Sequence, residues 1–538
     1  MSLLRSHWGF FLLAAVAVPL IGAFCWHDGI ATIGDDSVSY LVLARHFAGE
    51  AGPLLEPWVA RHAHFGPLFP LALAVMGGGS DLLMAHMVVA AFAIAALAAI
   101  YAHGREVSGR MAGGVLLAAL FLLAPTAWTS IKGILSEAMF LALSLFALHF
   151  HATRLREPDA PPGEWVSFGV LLAGAYLTRT AGVALVLAYA AHAAVRLART
   201  RGAHAGRLAI PVAMTLAAAA AWILLRPSAP VDGYRHTAGA VLGSWTAHPA
   251  LMLFSGARFL LGGWMNGFVA EGDVSIPVRA ILVAAGALAV AGALLRAARN
   301  HLDGWYVLAT LAMLLAWVFE EENMRRLLYP VVPVMLAQAG WAIAAACRRL
   351  GRPQLAGGAV VVASAALAAA CVPAVMVVAY KARDTRPLLE DTRHGAAHIT
   401  DYYRIANVPQ ARAVAARHAA IIAGLEALER ATPPSARILW ARPEYVALLG
   451  NRQGVPLEYR WDERALAEAV RREKVDYILA TMLAKTDLVH GKGDAMAPAQ
   501  RAAAYASPVL TAPNAVTGAA ELVLLQVDRR ALERYLER

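Results

Sequence analysis

The sequence predicts a polytopic α-helical membrane protein with about 11 transmembrane helices, interfacial helices in the first outer loop and a C-terminal α/β domain. The first observation is composition: 59% of the 538 residues are hydrophobic and 16% are charged, whereas soluble proteins have about 25% charged residues. The second is charge distribution, since residues 1–380 and 381–538 hold 42 charged residues each, or 11% and 27%. The third is a series of long apolar runs separated by short arginine-containing segments.

Apolar runs of about 17–25 residues are long enough to cross the bilayer core as helices. We predict such segments at residues 8–25, 82–103, 111–127, 136–152, 165–178, 180–195, 208–225, 277–295, 304–319, 327–346 and 355–379. The first is not interpreted as a cleavable signal peptide, because no small-residue cleavage site followed by a soluble domain is present. The runs 165–178 and 180–195 are compatible with a hairpin or with one long, broken segment.

Arginines in the short loops predict the orientation of the spans. With a cytoplasmic N-terminus, 14 of the 24 basic residues before position 381 fall in cytoplasmic segments, which satisfies the positive-inside rule at every loop. An odd number of spans then places the C-terminal part on the outer side of the membrane. Because this topology accounts for most of the positive charge of the first part, no nucleic-acid partner is inferred from the net charge of +10.

Two further segments, 26–81 and 226–276, fall on the outer side in this topology. Within the first, Ser37–Phe47 has helical apolar spacing and is predicted to lie in the membrane interface. We divide the chain into a transmembrane domain at 1–380, a helical connection at 381–430 and an α/β domain at 431–538. In this last domain, strand patterns at 436–440, 475–479 and 521–527 and a capped helix at 462–470 favour a mostly parallel sheet.

The familiar motifs of soluble enzymes are missing from the sequence, which has no Gly-rich phosphate loop, HExxH or GxSxG. Cys25, Cys347 and Cys371 lie in or beside apolar segments and imply no disulfide framework. Polar residues at the predicted outer membrane edge are therefore the functional candidates.

Two acidic groups occupy this edge. Asp35 and Asp36 follow the first span, where adjacent acids can ligate a divalent cation or supply a base, or can simply cap the helix that follows. Glu137 follows Lys132 in the short outer loop before the fourth span. There Ser136 is a natural N-cap and an acid is favourable in the first helical turn, so Glu137 also has both a structural and a functional interpretation.

Histidines and cations complete the set. His62 and His64 form a His-x-His pattern that binds metal only with a third ligand from elsewhere, so hydrogen bonding in a polar loop is the favoured interpretation. Arg179, Arg325 and Arg326 lie on the outer side, against the topological bias. A guanidinium matches a lipid phosphate bidentately, whereas pairing with residues 320–322 would give at least one arginine a structural role.

Carboxylates and cations on the outer face beside lipid favour chemistry on a phosphate-linked lipid over transport. A transporter is expected to bury polar groups near the middle of the bilayer, often in broken helices. Here the centres of the predicted spans are almost entirely Ala, Leu and Val.

The order of these motifs resembles that of the GT-C membrane glycosyltransferases, in the branch of the protein O-mannosyltransferases and the lipid A aminoarabinose transferase. The resemblance rests on Gly34–Asp36 after the first span, His64–Leu71, Leu135–Ala138 before the fourth span and Arg325–Pro330. It covers about the first 380 residues, and an outer C-terminal domain also fits the family.

The resemblance implies transfer of a sugar from a polyprenyl-phosphate donor to an acceptor hydroxyl on a glycan, lipid or protein, at the periplasmic face and with inversion. It implies that Asp35 is the general base, with Asp36 and Glu137 as further catalytic acids. A divalent cation (Mg, Mn or Zn) would be held by Asp35 and Glu137, with His62 or His64 as weaker candidates. No organic cofactor is expected, and membrane lipids are the remaining partners.

The leaving group of this reaction is a lipid phosphate, which needs charge stabilisation more than a proton. The candidate cations are Lys132, Arg179, Arg325 and Arg326. Relatives often have a basic residue and two prolines where this chain has His64–Pro67. The phosphate contact from the first loop therefore falls to His64, His62 or Arg61.

Two other functions compete with the transferase. A polysaccharide or lipid exporter predicts charges within the spans, which the sequence lacks. An O-antigen ligase or polymerase relies on a large outer loop rich in Arg and His, whereas 226–276 holds only five such residues. The acidic residues after the first span favour the transferase.

Overall fold

The computed structural model describes residues 2–30, 36–157, 159–202, 204–227, 233–269, 274–317, 321–385, 388, 408–458, 461–482 and 496–538. The chain forms two compact units. The first comprises Met1–Trp26, Ala63–Met76 and Met84–Val377, and the second comprises His27–His62, Gly77–Leu83 and Val378–Arg538. The second unit therefore combines the C-terminal tail with most of the first predicted outer loop.

Helices account for the chain up to the tail. In order they are α1 (Ser2–Cys25), α2 (Ser37–Phe47), α3 (Gly52–His62), α4 (Leu68–Val75), α5 (Leu82–Ser108), α6 (Met111–Leu123), α7 (Pro125–Thr129), α8 (Glu137–Arg154), α9 (Pro162–Thr178), α10 (Val183–Arg199), α11 (Ala205–Leu225), α12 (Gly233–Ala247), α13 (Pro249–Asn266), α14 (Ile276–Ala298), α15 (Leu302–Trp317), α16 (Glu321–Leu328), α17 (Val332–Arg349) and α18 (Ala356–Thr385).

Each of the eleven predicted apolar segments falls largely on helix. By length and composition, six stretches of the described chain can cross a membrane: His7–Cys25, Leu82–Ser108, Thr180–Arg199, Ala205–Leu225, Ile276–Ala298 and Pro353–Met376. A multi-pass membrane protein is thus confirmed, while the number of eleven spans stays a prediction. The runs 165–178 and 180–195 are two helices, α9 and α10, separated by a 3₁₀ turn at Thr180–Gly182.

Small residues bring the helices of the first unit into close contact, as is usual between transmembrane helices. A Cβ on Gly292 of α14 would lie 2.3 Å from the backbone oxygen of Gln338 in α17. Nearby, the Arg296 guanidinium donates to both carboxylate oxygens of the buried Asp303 at 3.0 and 2.9 Å. Arg296, which directly follows the predicted span 277–295, is therefore neutralised within the helix bundle.

The tail forms a five-stranded mixed sheet with helices around it. Its strands are β1 (Arg437–Trp440), β2 (Gln453–Pro456), β3 (Tyr477–Thr481), β4 (Ala506–Pro513) and β5 (Ala520–Val527), and its helices are α19 (Val408–Ala431), α20 (Pro443–Gly450), α21 (Glu463–Arg472), α22 (Ala497–Arg501) and α23 (Arg529–Leu536). The strand order is β2-β1-β3-β5-β4. Strands β2, β1 and β3 are parallel, whereas β5 and β4 are antiparallel to their neighbours, so the sheet is less parallel than the sequence predicted.

Helices α2 and α3 belong to the second unit and pack against α20 of the tail. The predicted helix over Ser37–Phe47 is present with those bounds, and its residues 37–44 are buried. Eight consecutive buried residues cover all sides of the helix, so protein surrounds this stretch and does not only contact an apolar face. The position of α2 in the membrane interface stays a prediction.

Candidate functional site

Glu137, one of the predicted site residues, opens helix α8. Ser136 occupies the N-cap position as expected, but its side chain makes no capping hydrogen bond. Glu137 itself is fully buried, with 0% of its surface exposed. A buried carboxylate is costly unless it is paired, so the partners of Glu137 decide what it does.

Two arginines from distant parts of the chain meet Glu137 at one oxygen. The Arg179 Nη1 atom lies 2.6 Å from Glu137 Oε1, and Arg326 Nε donates a hydrogen bond to the same oxygen. The exposed fraction of the side chains is 13% for Arg179 and 25% for Arg326. Glu137 therefore holds two predicted phosphate-binding arginines side by side.

A tight turn between α9 and α10 positions Arg179 beside Glu137. Arg179 follows the last residue of α9 and is extended, with φ −149° and ψ 140°, which turns the chain before α10. Gly66, in the predicted first-loop motif, approaches the backbone so closely that a Cβ would lie 2.1 Å from the Leu177 oxygen. Only glycine fits there, so the motif packs against the turn that carries Arg179.

Helix α16 carries Arg325 and Arg326 in its last turn. Its backbone packs on Gly263 of α13, where a Cβ would lie 2.8 Å from the Arg325 nitrogen. Arg325 Nη1 donates to the Thr129 hydroxyl at 3.2 Å, and Arg325 is 7% exposed. Thr129 ends α7, three residues before Lys132, which is also buried at 7% exposure.

We call Lys132, Glu137, Arg179, Arg325 and Arg326 the Glu137 cluster; Arg179 and Arg326 contact Glu137, whereas Lys132 and Arg325 are included as buried cations that are close to these residues in the sequence. It combines four cations and one carboxylate, a net charge of +3, in a largely buried setting. A guanidinium has five N–H donors in a fixed plane, so one bond to Glu137 orients an arginine without using its whole capacity. Fixed cations of this kind stabilise negative charge more strongly in a low-dielectric site than in water.

The structure describes only some of the other predicted site residues. Asp35 lies outside the described residues. Asp36 is the N-cap residue of α2, but its side chain makes no capping hydrogen bond, so the capping interpretation is not supported for Asp36. His62 ends α3 and is buried, whereas His64 is partly exposed and stacks against Phe65 with ring centroids 4.3 Å apart.

A metal site is not formed by the residues that the structure describes. Within them, no group of three or more His, Cys, Asp or Glu side chains is arranged to hold an ion. Glu137, one of the predicted ligands, directs Oε1 toward two guanidiniums. Because Asp35, the other predicted ligand, lies outside the described residues, the predicted metal site stays a prediction.

Sequence reasoning missed two features of this site. It did not anticipate that Arg326 bonds to Glu137; pairing of an arginine with the Glu320–Glu322 run stays a prediction, because those side chains lie outside the described part. It also missed Thr129 as a partner of Arg325, because a threonine in an apolar helix carries no functional signal. The pairing of Glu137 with Arg179 and Arg326 joins positions 42 and 189 residues apart, which no local pattern reveals.

Comparison with known proteins gives structural relatives but no sequence relatives. No family model matches the chain, and no curated protein matches it. Among solved structures, ArnT from Cupriavidus metallidurans bound to undecaprenyl phosphate is 16% identical, with TM-score 0.53 over 96% of this chain and 98% of that chain. The same protein in the apo state is 14% identical, with TM-score 0.50 over 96% and 97%. The oligosaccharyltransferase AglB from Archaeoglobus fulgidus, in complex with an inhibitory peptide and a dolichol-phosphate, is 13% identical, with TM-score 0.48 over 94% and 73%.

ArnT is a GT-C membrane glycosyltransferase. The resemblance predicted from the sequence motifs is thus confirmed at the level of the fold. The likeness to ArnT covers nearly the whole of both chains, tail included.

Proposed function

We propose that this protein transfers a sugar from a polyprenyl-phosphate donor to an acceptor hydroxyl on the periplasmic face of a bacterial inner membrane. The observation that carries the proposal is the Glu137 cluster, in which one buried carboxylate holds Arg179 and Arg326 together. ArnT was solved with undecaprenyl phosphate, and a lipid phosphate has the charge that such a cluster suits.

In the proposed step the acceptor hydroxyl gives its proton to the Asp35 carboxylate, and its oxygen bonds to the anomeric carbon of the sugar. The bond from that carbon to the phosphate oxygen breaks at the same time. The electron pair leaves with the phosphate, so polyprenyl phosphate is released and the anomeric configuration inverts. Asp36 is the second acid near the base.

The cluster acts on the phosphate side of this reaction. As the bond breaks, negative charge grows on the phosphate oxygens, and fixed guanidinium and ammonium groups stabilise that charge without reorganising. In this account Glu137 is a positioning residue for Arg179 and Arg326, with Arg325 and Lys132 beside them.

The first test asks whether the reaction exists in the cell. Inactivating the gene and comparing lipid and glycan extracts by mass spectrometry should reveal one acceptor that lacks a sugar while the polyprenyl-phosphate donor accumulates. An exporter would instead leave the modified product intact on the wrong side of the membrane. A ligase or polymerase would leave a diphosphate-linked glycan unprocessed.

The second test concerns the side of the membrane. The arginine distribution predicts a periplasmic C-terminal tail, so a reporter fused after Lys381 should report a periplasmic location. A cytoplasmic signal would contradict the proposal, because the tail and Asp35 must share a side.

A further inference from the structure

A second polar site lies in the tail, at the carboxyl ends of its parallel strands. The chain runs from β1 through α20 to β2 on one side, then returns through α21 to β3 on the other side of β1. This reversal of strand order between β1 and β3 is a topological switch point. In open α/β sheets, ligands bind outside the carboxyl ends of the strands at such a point.

The edges of this switch point are fixed by direct contacts. Trp440 ends β1 and Thr481 ends β3, and the Trp440 indole donates to the Thr481 hydroxyl at 3.1 Å. A Cβ on Gly454 of β2 would lie 2.2 Å from the Pro443 oxygen. The first turn of α20, which follows β1, is therefore held closely against the sheet.

Glu444 sits in that first turn and is 1% exposed. Its Oε2 atom is buried and has no hydrogen-bond partner among the described residues. Burial raises the pKa of the Glu444 carboxyl, and the nearby charges of Arg61 and Arg442 act in the opposite direction. A buried acid so placed needs a reason, because its desolvation costs stability.

Arg61 and Arg442 reach Glu444 from different elements. Arg442 precedes α20, and Arg61 lies in the last turn of α3, the helix that packs on α20. Arg61 is exposed and Arg442 is half-buried, so both lie nearer to solvent than the acid. Both guanidiniums are close enough to act on the charge of Glu444, and a carboxylate near two guanidiniums offsets their mutual repulsion.

We propose that Arg61 and Arg442, at the carboxyl edge of β1 and β3, bind an oxyanion, either a phosphate or a carboxylate, carried by the acceptor. The assignment to the acceptor rests on the proposed function; the oxyanion site itself does not. Two arginines supply paired donors for a phosphate or carboxylate. Glu444 keeps them together in the empty site and lowers the affinity for an anion, so that the bound group can leave.

The site can be tested by ligand-dependent thermal stability of the full-length protein in detergent, because a ligand that binds the folded state raises the unfolding midpoint. The probes are glucose 1-phosphate, glucuronic acid and neutral glucose. We expect saturable stabilisation by one or both charged probes and none by glucose. The charged probe that stabilises identifies the oxyanion as phosphate or carboxylate.

Substitutions test whether each residue strengthens or weakens binding of the charged probe. Arg442→Gln should raise the half-saturating concentration about tenfold or more, since a charge-assisted hydrogen bond is lost, and Arg61→Gln should do the same. Glu444→Gln removes a like charge and should lower that concentration about threefold or more. Arg464→Gln, an exposed tail residue paired with Glu468 at 3.3 Å, is the matched control and should bind as the wild type does.

Three results would overturn the proposal: no stabilisation of the wild type by either charged probe, arginine variants that bind as the wild type does, or weaker binding by Glu444→Gln. The last would mean that the three side chains form only an internal ion triad. No donor or transfer step enters this measurement. A failure of the glycosyltransferase proposal would therefore leave the binding result standing and remove only the assignment to an acceptor.

Discussion

Replacing Glu137 by Gln tests whether the buried carboxylate holds Arg179 and Arg326 in place. Removing one partner of a buried ion pair costs about 3–5 kcal/mol. Arg326 is 25% exposed and Gln retains an acceptor oxygen, so we expect the lower end, about 3 kcal/mol. Transfer should also fall, because both arginines lose their common anchor. Added Mg²⁺ should not restore it, whereas a metal ligand at Glu137 would predict partial recovery.

The measurement is thermal unfolding in detergent, with transfer assayed on the same preparations. Glu164→Gln is the control, because its partner Arg154 lies 3.7 Å away and is 63% exposed, and such surface pairs contribute about 0–1 kcal/mol. A double-mutant cycle of Glu137→Gln with Arg179→Gln should give a coupling energy of about 1 kcal/mol or more. Glu137→Gln with wild-type stability and no coupling to Arg179 would refute the anchoring role.

Three further predictions follow from particular contacts. Gly66→Ala places a methyl group 2.1 Å from the Leu177 oxygen, so thermal unfolding should show a loss of about 1–3 kcal/mol and transfer should fall with it; unchanged stability would contradict the close approach. Asp462 caps α21 by accepting from the Ala465 amide at 2.8 Å, so Asp462→Ala should cost about 1 kcal/mol yet leave turnover nearly intact; a large loss of turnover would mean that the active site is misplaced. Burial raises the pKa of the Glu444 carboxyl above its ordinary 4.5. The neutral, protonated carboxyl therefore makes its full contribution to the stability of the folded protein below pH 4.5, and this contribution is lost as the pH rises through the raised pKa. The unfolding midpoint of Glu444→Gln should therefore rise relative to that of the wild type as the pH increases above 4.5; a difference that does not change with pH would contradict the shift.

Periodicity and composition predicted the helical segments well because membrane helices are selected for apolar length. The same reasoning located β1, β3 and β5, whose apolar runs are short and bounded by polar residues. It did not find β4 at 506–513 or the antiparallel half of the sheet. Strand direction depends on long-range pairing, and β4 is an exposed edge strand with a weak apolar pattern.

The candidate site was predicted as a set of residues but not as a set of contacts. The sequence singled out Glu137, Arg179 and Arg326 individually, but did not indicate that the two arginines pair with Glu137. The true pairing depends on how α8, α9 and α16 pack, which requires the close approaches at Gly66 and Gly263. Glu444 was missed because an acid in the first turn of a helix is ordinarily a dipole-stabilising residue.

The most direct test of the transferase account is the activity of Asp35→Asn with a polyprenyl-phosphate sugar and purified protein. Asn keeps the shape and capping ability of Asp but cannot accept the proton, so transfer should fall by about 10²-fold or more while thermal stability is retained. Asp28→Asn, an exposed acid seven residues earlier, is the matched control and should remain active. A folded Asp35→Asn variant with full transfer activity would contradict the assignment of Asp35 as the base and, with it, the proposed mechanism.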